Sequence, residues 1–425
     1  MSAPYWADSS VTLYHGNALE LPLEDATVDL VVTSPPYFGL RSYQDGGEHY
    51  AGQIGSEATP AEFVDALIAA TAEMVRVLKP SGSIWVNLGD KYAGGGGQWD
   101  KDERPDPQKR RAASGSVSTG GKTYGLRPKS LIGVPWRYAI RCIDDLGLIL
   151  RAEVIWSKPN GLPESVTDRV RRSHEVWFHF TKMPRYYSAV DEIREPHISA
   201  DDPRWLRATN PSNPDRNDGG VAMWRDGKEP NPLGKLPGSV WTIATQPLTV
   251  PASLGIDHFA AFPMEWPRRI ITGWSPRDVC TVCGEGRRPV VGTNKILEPG
   301  RRSKGLGKTF SPASVSHHPG DDPEPVSGLH MLAERTITGY ACACPDTSAS
   351  ITPGVVLDPF SGTGTTALMA KVLGRRGIGV DLSADYCRLA RWRVNDPGQI
   401  ASAMQVEKVA PPMDDQGVLD LGESA

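Results

Sequence analysis

Apolar and polar positions follow two rhythms along this chain, separated by long stretches that keep neither. Val11-Thr12-Leu13-Tyr14 reads as a short strand entering the turn His15-Gly16-Asn17, and Val28 to Thr33 reads as a buried strand stopped by Pro35 and Pro36. The period then changes. Phe63, Leu67, Ile68, Met74, Val75 and Leu78 recur at helical spacing after Pro60-Ala61-Glu62; Lys79-Pro80-Ser81-Gly82 ends the helix, and Ser83 to Leu88 follows as a strand. Buried strands alternating with crossover helices predict an α/β parallel sheet covered on both faces. The pattern resumes as a helix over Ser130 to Leu146, strands over Leu148 to Trp156 and Glu175 to Phe180, and a helix through Phe262, Trp266, Ile270 and Ile271 that closes at Gly273-Trp274-Ser275-Pro276. Val355 to Leu357 is the next strand, Gly364 to Leu373 a helix, and Gly377 to Asp381 a further strand.

The intervening stretches have a different composition. From Lys91 to Arg127 large aliphatic residues nearly vanish, as in a mobile loop or a solvated insert. Arg185 to Leu236 is loop-rich and mixes Arg194, Arg204, Arg207, Arg216 and Arg225 with Trp205 and Trp224. Arginine interleaved with tryptophan suits a groove-reading surface, since guanidinium groups match base edges and phosphates while indoles stack or wedge; an ordinary exposed insert has the same composition. A third departure runs from Cys280 to Cys344, and after Asn395 a Pro-, Asp- and Gly-rich tail is expected to fray.

At 425 residues, 39% hydrophobic and 23% charged with a net charge of -4, the chain is long enough for two or three structural units and is not globally basic. If it binds a polyanion, local basic surfaces must do so, and Lys109-Arg110-Arg111, Lys122 and the group Arg169, Arg171 and Arg172 are candidates. No apolar run is long enough to cross a membrane and no leader pattern opens the chain, so a cytoplasmic location is expected.

Two strand-to-loop junctions carry the chemistry. Asp358-Pro359-Phe360-Ser361-Gly362-Thr363-Gly364 leaves a buried strand through a tight glycine turn into a helix, and Asp381 ends the following strand, where a carboxylate can accept both hydroxyls of a ribose. That pair fits an adenosyl cofactor or a dinucleotide; no Gly-Lys-Ser/Thr follows to grip a triphosphate. Ser34-Pro35-Pro36-Tyr37 favours the former. The lone pair of an exocyclic amine is delocalised into its ring. Acceptors such as the Ser34 hydroxyl and the Pro35 carbonyl draw its hydrogens out of plane and make the nitrogen nucleophilic. Two prolines fix that geometry and Tyr37 offers a stacking face.

These motifs together resemble the S-adenosylmethionine-dependent DNA amino-methyltransferases, in the circularly permuted class whose catalytic tetrapeptide precedes the cofactor loop. The resemblance implies a permuted Rossmann-like sheet with loop-rich inserts. It covers Val11 to Ala390 apart from the inserts. It makes Ser34 to Tyr37 catalytic, Asp358 to Gly364 the methionine-side cofactor loop, Asp381 the ribose acid and Asn17 a contact to the cofactor adenine. His258 to Arg269, with Phe262-Pro263, resembles the helix that closes over the cofactor's methionine end, and Ser173-His174-Glu175 an active-site strand motif. Serine before Pro-Pro is typical of cytosine N4 methylation, adenine N6 being the alternative; a non-catalytic DNA-binding protein on the same fold is a third reading. The substrate is then double-stranded DNA with the target base flipped out, and a cognate restriction endonuclease is a functional partner.

The organisation implied is a catalytic half over 8–184 containing the insert 91–127, a target-recognition region over 185–240, a cofactor-side helix region over 241–279, a Cys-bounded basic insert over 280–350, a cofactor-binding half over 351–395 and a tail over 396–425. Within the basic insert, Cys280-x-x-Cys283 and Cys342-x-Cys344 offer four thiolates to a structural Zn²⁺, with His317 or His318 as substitutes for one of them. Its arginines and lysines, Arg287, Arg288, Arg301, Arg302, Lys304 and Lys308, form the densest basic run. Cys142 and Cys387 lack the Pro-Cys setting of carbon-5 methylation, and no catalytic metal is called for.

Overall fold

A computed structural model describes residues 3–39, 44–45, 48–49, 53–94, 123–161, 164, 166–196, 231, 233–256, 261–299, 329–344 and 348–405. The expectations for Lys109 to Arg111 and Lys122, for Arg204 to Arg225, for His258, for Arg301 to Lys308 with His317 and His318, and for the tail beyond 405 fall outside these residues.

The first unit comprises 1–193, 237–288 and 342–425 and is built on a nine-stranded sheet. In chain order, its N-terminal part gives β1 (Trp6–Ala7), β2 (Val11–His15), β3 (Val28–Thr33), a small hairpin of β4 (Gln44–Asp45) and β5 (Glu48–His49), helix α1 (Pro60–Val77), β6 (Leu78–Leu88), α2 (Val134–Asp144), β7 (Ile149–Ser157) and β8 (His174–Thr181). There follow β9 (Val240–Thr242), α3 (Glu265–Trp274) and β10 (Asp278–Cys280). In the second unit, 194–236 and 289–341, β11 (Arg288–Pro299) and β12 (Leu329–Ala341) form a two-stranded ribbon, and Glu195 and Lys235 pair through both backbone groups and through a 3.4 Å ion pair. The chain returns to the first unit through β13 (Ile351–Pro353), β14 (Val355–Asp358), α4 (Thr365–Val372), β15 (Arg376–Asp381), α5 (Ala384–Asn395) and α6 (Pro397–Met404).

The sheet order is β1-β2-β15-β14-β3-β6-β8-β7-β9. Strands β2, β15, β14, β3 and β6 are mutually parallel, so late strands β14 and β15 sit between β2 and β3 from the beginning of the chain. This order is what a permuted connection requires. β3 is buried at every position, which explains its predominantly apolar sequence, and its one carboxylate, Asp29, is paired with Lys79 at 2.7 Å. One face is covered by α1 and α2 around Phe63, Leu67, Met74 and Tyr138, and the other by α3 and α4 around Trp85, Trp177, Trp266 and Leu368.

Several boundaries differ from the sequence reading, for local reasons. β6 begins at Leu78, directly after α1, because Leu78 already pairs with Val28; a register irregularity between Val28 and Leu30 takes up Lys79 to Gly82. α2 is shorter than the apolar pattern because Gly133, at φ 77°, opens it and Pro135 occupies its first turn. Past Asn395, Asp396 caps α6 by accepting from the Gln399 N–H at 2.8 Å, so regular structure continues to Met404.

Candidate active site at the carboxyl edge of the sheet

The parallel strands all end on one edge, and antiparallel β8 begins there. β3 runs into Ser34-Pro35-Pro36-Tyr37, and its neighbour β14 runs into Asp358 to Gly364. The two loops are tied together at their roots. Thr33 Oγ1 donates to Asp358 Oδ1 at 2.7 Å, Thr366 Oγ1 donates to Oδ2 at 2.8 Å, and the Phe360 N–H donates to Oδ1 at 3.1 Å. Asp358 is wholly buried, and burial pushes its carboxyl up to about 6 against the pull of these donors. The side chain thus faces the protein, where it joins the two loops.

Gly364 sits at φ 75°, and a Cβ there would lie 2.9 Å from Ala390 on α5, so the turn needs glycine on both counts. Arg393, also on α5 and buried, donates from Nη1 to Thr363 Oγ1 at 2.6 Å and Thr365 Oγ1 at 2.7 Å. Desolvation draws its guanidinium down to about 10. Asp381, at the end of β15, accepts the Gly362 N–H on Oδ2 at 2.7 Å and the Ser383 N–H on Oδ1 at 2.9 Å. Its carboxylate therefore fastens the glycine loop as well as standing where a ribose acid is expected. Gly16 donates its N–H to the Asp381 carbonyl, which brings the β2 turn alongside. Asn17 is exposed there, its Oδ1 accepting from the Leu19 N–H at 3.0 Å, so the acceptor foreseen for an adenine amine has a local partner.

The Tyr37 hydroxyl lies 2.7 Å from Asn87 Oδ1, at the end of β6, and 2.7 Å from Glu175 Oε2, at the start of β8. Ser34 Oγ donates to the same Asn87 oxygen at 3.2 Å, and Lys158 Nζ pairs with Glu175 Oε1 at 2.5 Å. Gly89 makes room for the ring, since a Cβ there would lie 2.6 Å from Tyr37 Cε2. Asn87 and Lys158 escaped the sequence reading, although a polar residue closing an apolar strand was their visible sign. Glu175 lay within the Ser173-His174-Glu175 motif. The 158–173 connection carries Arg169, Arg171 and Arg172 on this same edge; Arg169 stacks over Tyr92 at 4.0 Å, and Arg172 lies 3.8 Å from Asp90.

Phe262 and buried Pro263 lead into α3, Phe262 resting edge-on against Trp177 at 5.8 Å. Away from the sheet edge, Cys280, Cys283 and Cys342 bring their sulfurs within 4.8 Å of one another beside the antiparallel pair β10 and β13. Cys344 is not in that cluster, so three of the four expected thiols converge. The backbone N–H groups of Cys283 and Val282 aim at the Cys280 sulfur and draw its thiol down to about 7. A soft cation suits this donor set.

The edge thus offers a glycine turn with a carboxylate beside it, next to a rigid loop of acceptors with an aromatic ring. An adenosyl cofactor fits the first and an amine-bearing base the second. Residues 28–281 and 343–391 match the model of the N6/N4 DNA methylase family. The chain is 32% identical to the type II methyltransferase M.SmaI of Serratia marcescens over 88% of its length and 86% of the relative's, and 30% identical to M.XycI of Xanthomonas campestris pv. cyanopsidis over 93% and 90%. Its fold is similar to that of the PvuII DNA methyltransferase (cytosine-N4-specific), with a TM-score of 0.50, 17% identity, and coverage of 95% and 94%. The strands, the junctions and these relatives agree: the chain belongs to the S-adenosylmethionine-dependent DNA methylases that modify exocyclic amines, the N6/N4 methyltransferase family.

Proposed function

We propose that the protein methylates the N4 amine of cytosine in double-stranded DNA, acting on a base extruded from the helix. The observation that carries this reading is Ser34-Pro35-Pro36-Tyr37 held beside the 358–364 turn by the Thr33–Asp358 hydrogen bond. When bound, S-adenosylmethionine supplies an electrophilic methyl group on a sulfonium. The Ser34 hydroxyl and Pro35 carbonyl accept the amine hydrogens, Pro36 keeps that carbonyl in place, and Tyr37 stacks on the base. Extrusion costs a few kcal/mol. Stacking on one ring returns about 1–3 kcal/mol, so hydrogen bonds to Ser34 and Pro35, each about 1 kcal/mol, supply the balance.

On the cofactor side, Pro359, Phe360, Ser361, Gly362, Thr363 and Gly364 hold the methionine end, Asp381 the ribose, Asn17 the adenine edge, and Phe262 and Pro263 flank the site; Asp358 acts from beneath by shaping the loop. Cys280, Cys283 and Cys342 bind a structural Zn²⁺, with Cys344 two residues along as the fourth ligand after a small shift of the loop. The working compartment is the cytoplasm, where the DNA is, and a companion endonuclease reading the same sequence is the partner such a mark would serve. Mass spectrometry of nucleosides from unmethylated DNA incubated with the protein and isotope-labelled S-adenosylmethionine tests the reading. Labelled N4-methylcytosine is expected; labelled N6-methyladenine would keep the enzyme class and overturn the choice of base.

A further inference from the structure

The Tyr37 hydroxyl faces more acceptors than it has hydrogens. Asn87 Oδ1 and Glu175 Oε2 both lie 2.7 Å from it, and a phenol can donate to only one of them. Turning the Asn87 amide gives no relief: its Nδ2 already donates to the Val176 carbonyl at 3.1 Å, and reversal would set two oxygens against each other. Ser34 donates to the same Asn87 oxygen at 3.2 Å, which takes up one of its two lone pairs and leaves the count at Tyr37 unchanged. Both contacts of Tyr37 become hydrogen bonds once a further proton joins Tyr37 and Glu175.

Methyl transfer to an amine releases such a proton. The carbon–sulfur bond breaks with its electron pair going to sulfur, the amine lone pair forms the new nitrogen–carbon bond, and an N–H bond then gives its pair back to nitrogen as the proton leaves. We propose that Glu175, acting through the Tyr37 hydroxyl, receives that proton, an assignment that rests on the methyl-transfer reading above. Tyr37 passes its own hydrogen to Glu175 Oε2 and takes the one from the amine, so the phenol stays neutral and no co-reactant is needed. A shared partner 3.2 Å from Ser34 Oγ and 2.7 Å from the Tyr37 oxygen keeps those two oxygens within about 6 Å, a gap one water can bridge. Asn87, a neutral amide, sets the geometry and takes no proton. The Glu175 side chain is 18% exposed, so the proton has a way on to solvent.

Glu175→Gln separates a proton acceptor from a mere support. The glutamine carbonyl can still accept from Lys158, and its amide can donate to Tyr37, which then donates to Asn87 with every polar group satisfied. Melting temperature and calorimetric affinity for S-adenosylmethionine should therefore match those of the wild type. Single-turnover transfer of labelled methyl to unmethylated DNA should fall about 100-fold and lose the acid limb of its pH profile. Tyr37→Phe, which keeps the ring, should produce the same loss, and the double variant no more. A Glu175→Gln variant that retains the wild-type rate and acid limb would overturn the assignment. So would one that loses rate and melting temperature together while its pH profile keeps its shape, since that is the mark of a support. If the wild type itself transfers no label, the methyl-transfer reading fails first and this assignment with it.

Discussion

Replacing Asp358 with Asn should make the protein's stability respond to pH differently, by an amount the structure fixes. The folded carboxyl titrates at about 6 because it is buried, against an ordinary value of 3.8. Between those values the folded protein holds a proton that the unfolded chain has released. The Asp358 contribution is therefore complete below about pH 3.8 and is lost as pH rises through about 6. At 1.36 kcal/mol per pH unit the loss is about 3 kcal/mol. Asparagine removes the titration without stranding a partner: its carbonyl accepts from Thr33 and Phe360, and its amide donates to Thr366 Oγ1, whose hydrogen turns to the Val32 carbonyl 3.3 Å away. Urea unfolding followed by tryptophan fluorescence suits the measurement, because Trp85, Trp177 and Trp266 are buried in the same unit. The stability of Asp358→Asn minus that of the wild type should rise by about 2.4 kcal/mol from pH 4 to pH 7, most of that full range. The comparison must be a difference, because His179 titrates in the same window with the opposite slope. Burial drives its imidazole down to about 3, so its contribution is lost as pH falls below about 6.5. That term is common to both proteins and cancels. A flat difference, or one in which the wild type gains on the variant as pH rises, would refute the reasoning.

Gly89→Ala should place a methyl 2.6 Å from the Tyr37 ring, force the ring out of register, and lower methyl transfer at least tenfold with cofactor affinity retained; equal losses in kinetics and calorimetry would remove Gly89 from the base side of the site. Tyr37→Ala should likewise weaken catalysis more than cofactor binding, as read by the same two assays. Stripping metal with a chelator should lower the melting temperature, and Cys342→Ser should remove both that response and the zinc seen by elemental analysis. Absence of stoichiometric zinc from freshly purified protein would leave the cluster as three reduced thiols. Arg393→Met should weaken S-adenosylmethionine binding by roughly tenfold through a loosened Thr363–Thr365 turn, and unchanged calorimetric affinity would count against that bracing role.

Much of this was legible in the sequence because it depends on local chemistry. β3, the helix from Pro60 and the glycine turn at 362–364 follow from short-range pattern, and the resemblance to a permuted family implied that late strands such as β14 and β15 enter the sheet beside early ones. The partners of the motifs were not legible. Asn87 from β6 and Glu175 from β8 meet Tyr37, and Lys158 after β7 pairs with Glu175; the Ser173-His174-Glu175 motif marked Glu175 but not its partner, because which strand ends adjoin depends on β8 and β7 lying beyond β6, a matter of global packing. The same limit explains Asp358. Its position at a strand end suggested a ligand contact, whereas its burial against Thr33 and Thr366 emerges only when β3 and β14 are paired. Boundaries moved where one backbone term prevailed over the apolar pattern, as with left-handed Gly133 and the Asp396 cap.

The pairing of β3 with β14 also bears on how the protein comes to exist in a cell. Asp29 accepts the Val355 N–H at 2.8 Å across a separation of 326 residues, so a ribosome must make most of the chain before the two strands can meet. Until then β2 and β3 emerge with the edges that β15 and β14 will cover still open to water and to other chains. Closing so long a loop is slow, and exposed apolar edges invite aggregation during the delay. Expression of this protein should therefore depend on translation rate and chaperone supply more than its folded stability suggests, and a chain truncated before Val355 should accumulate as aggregate.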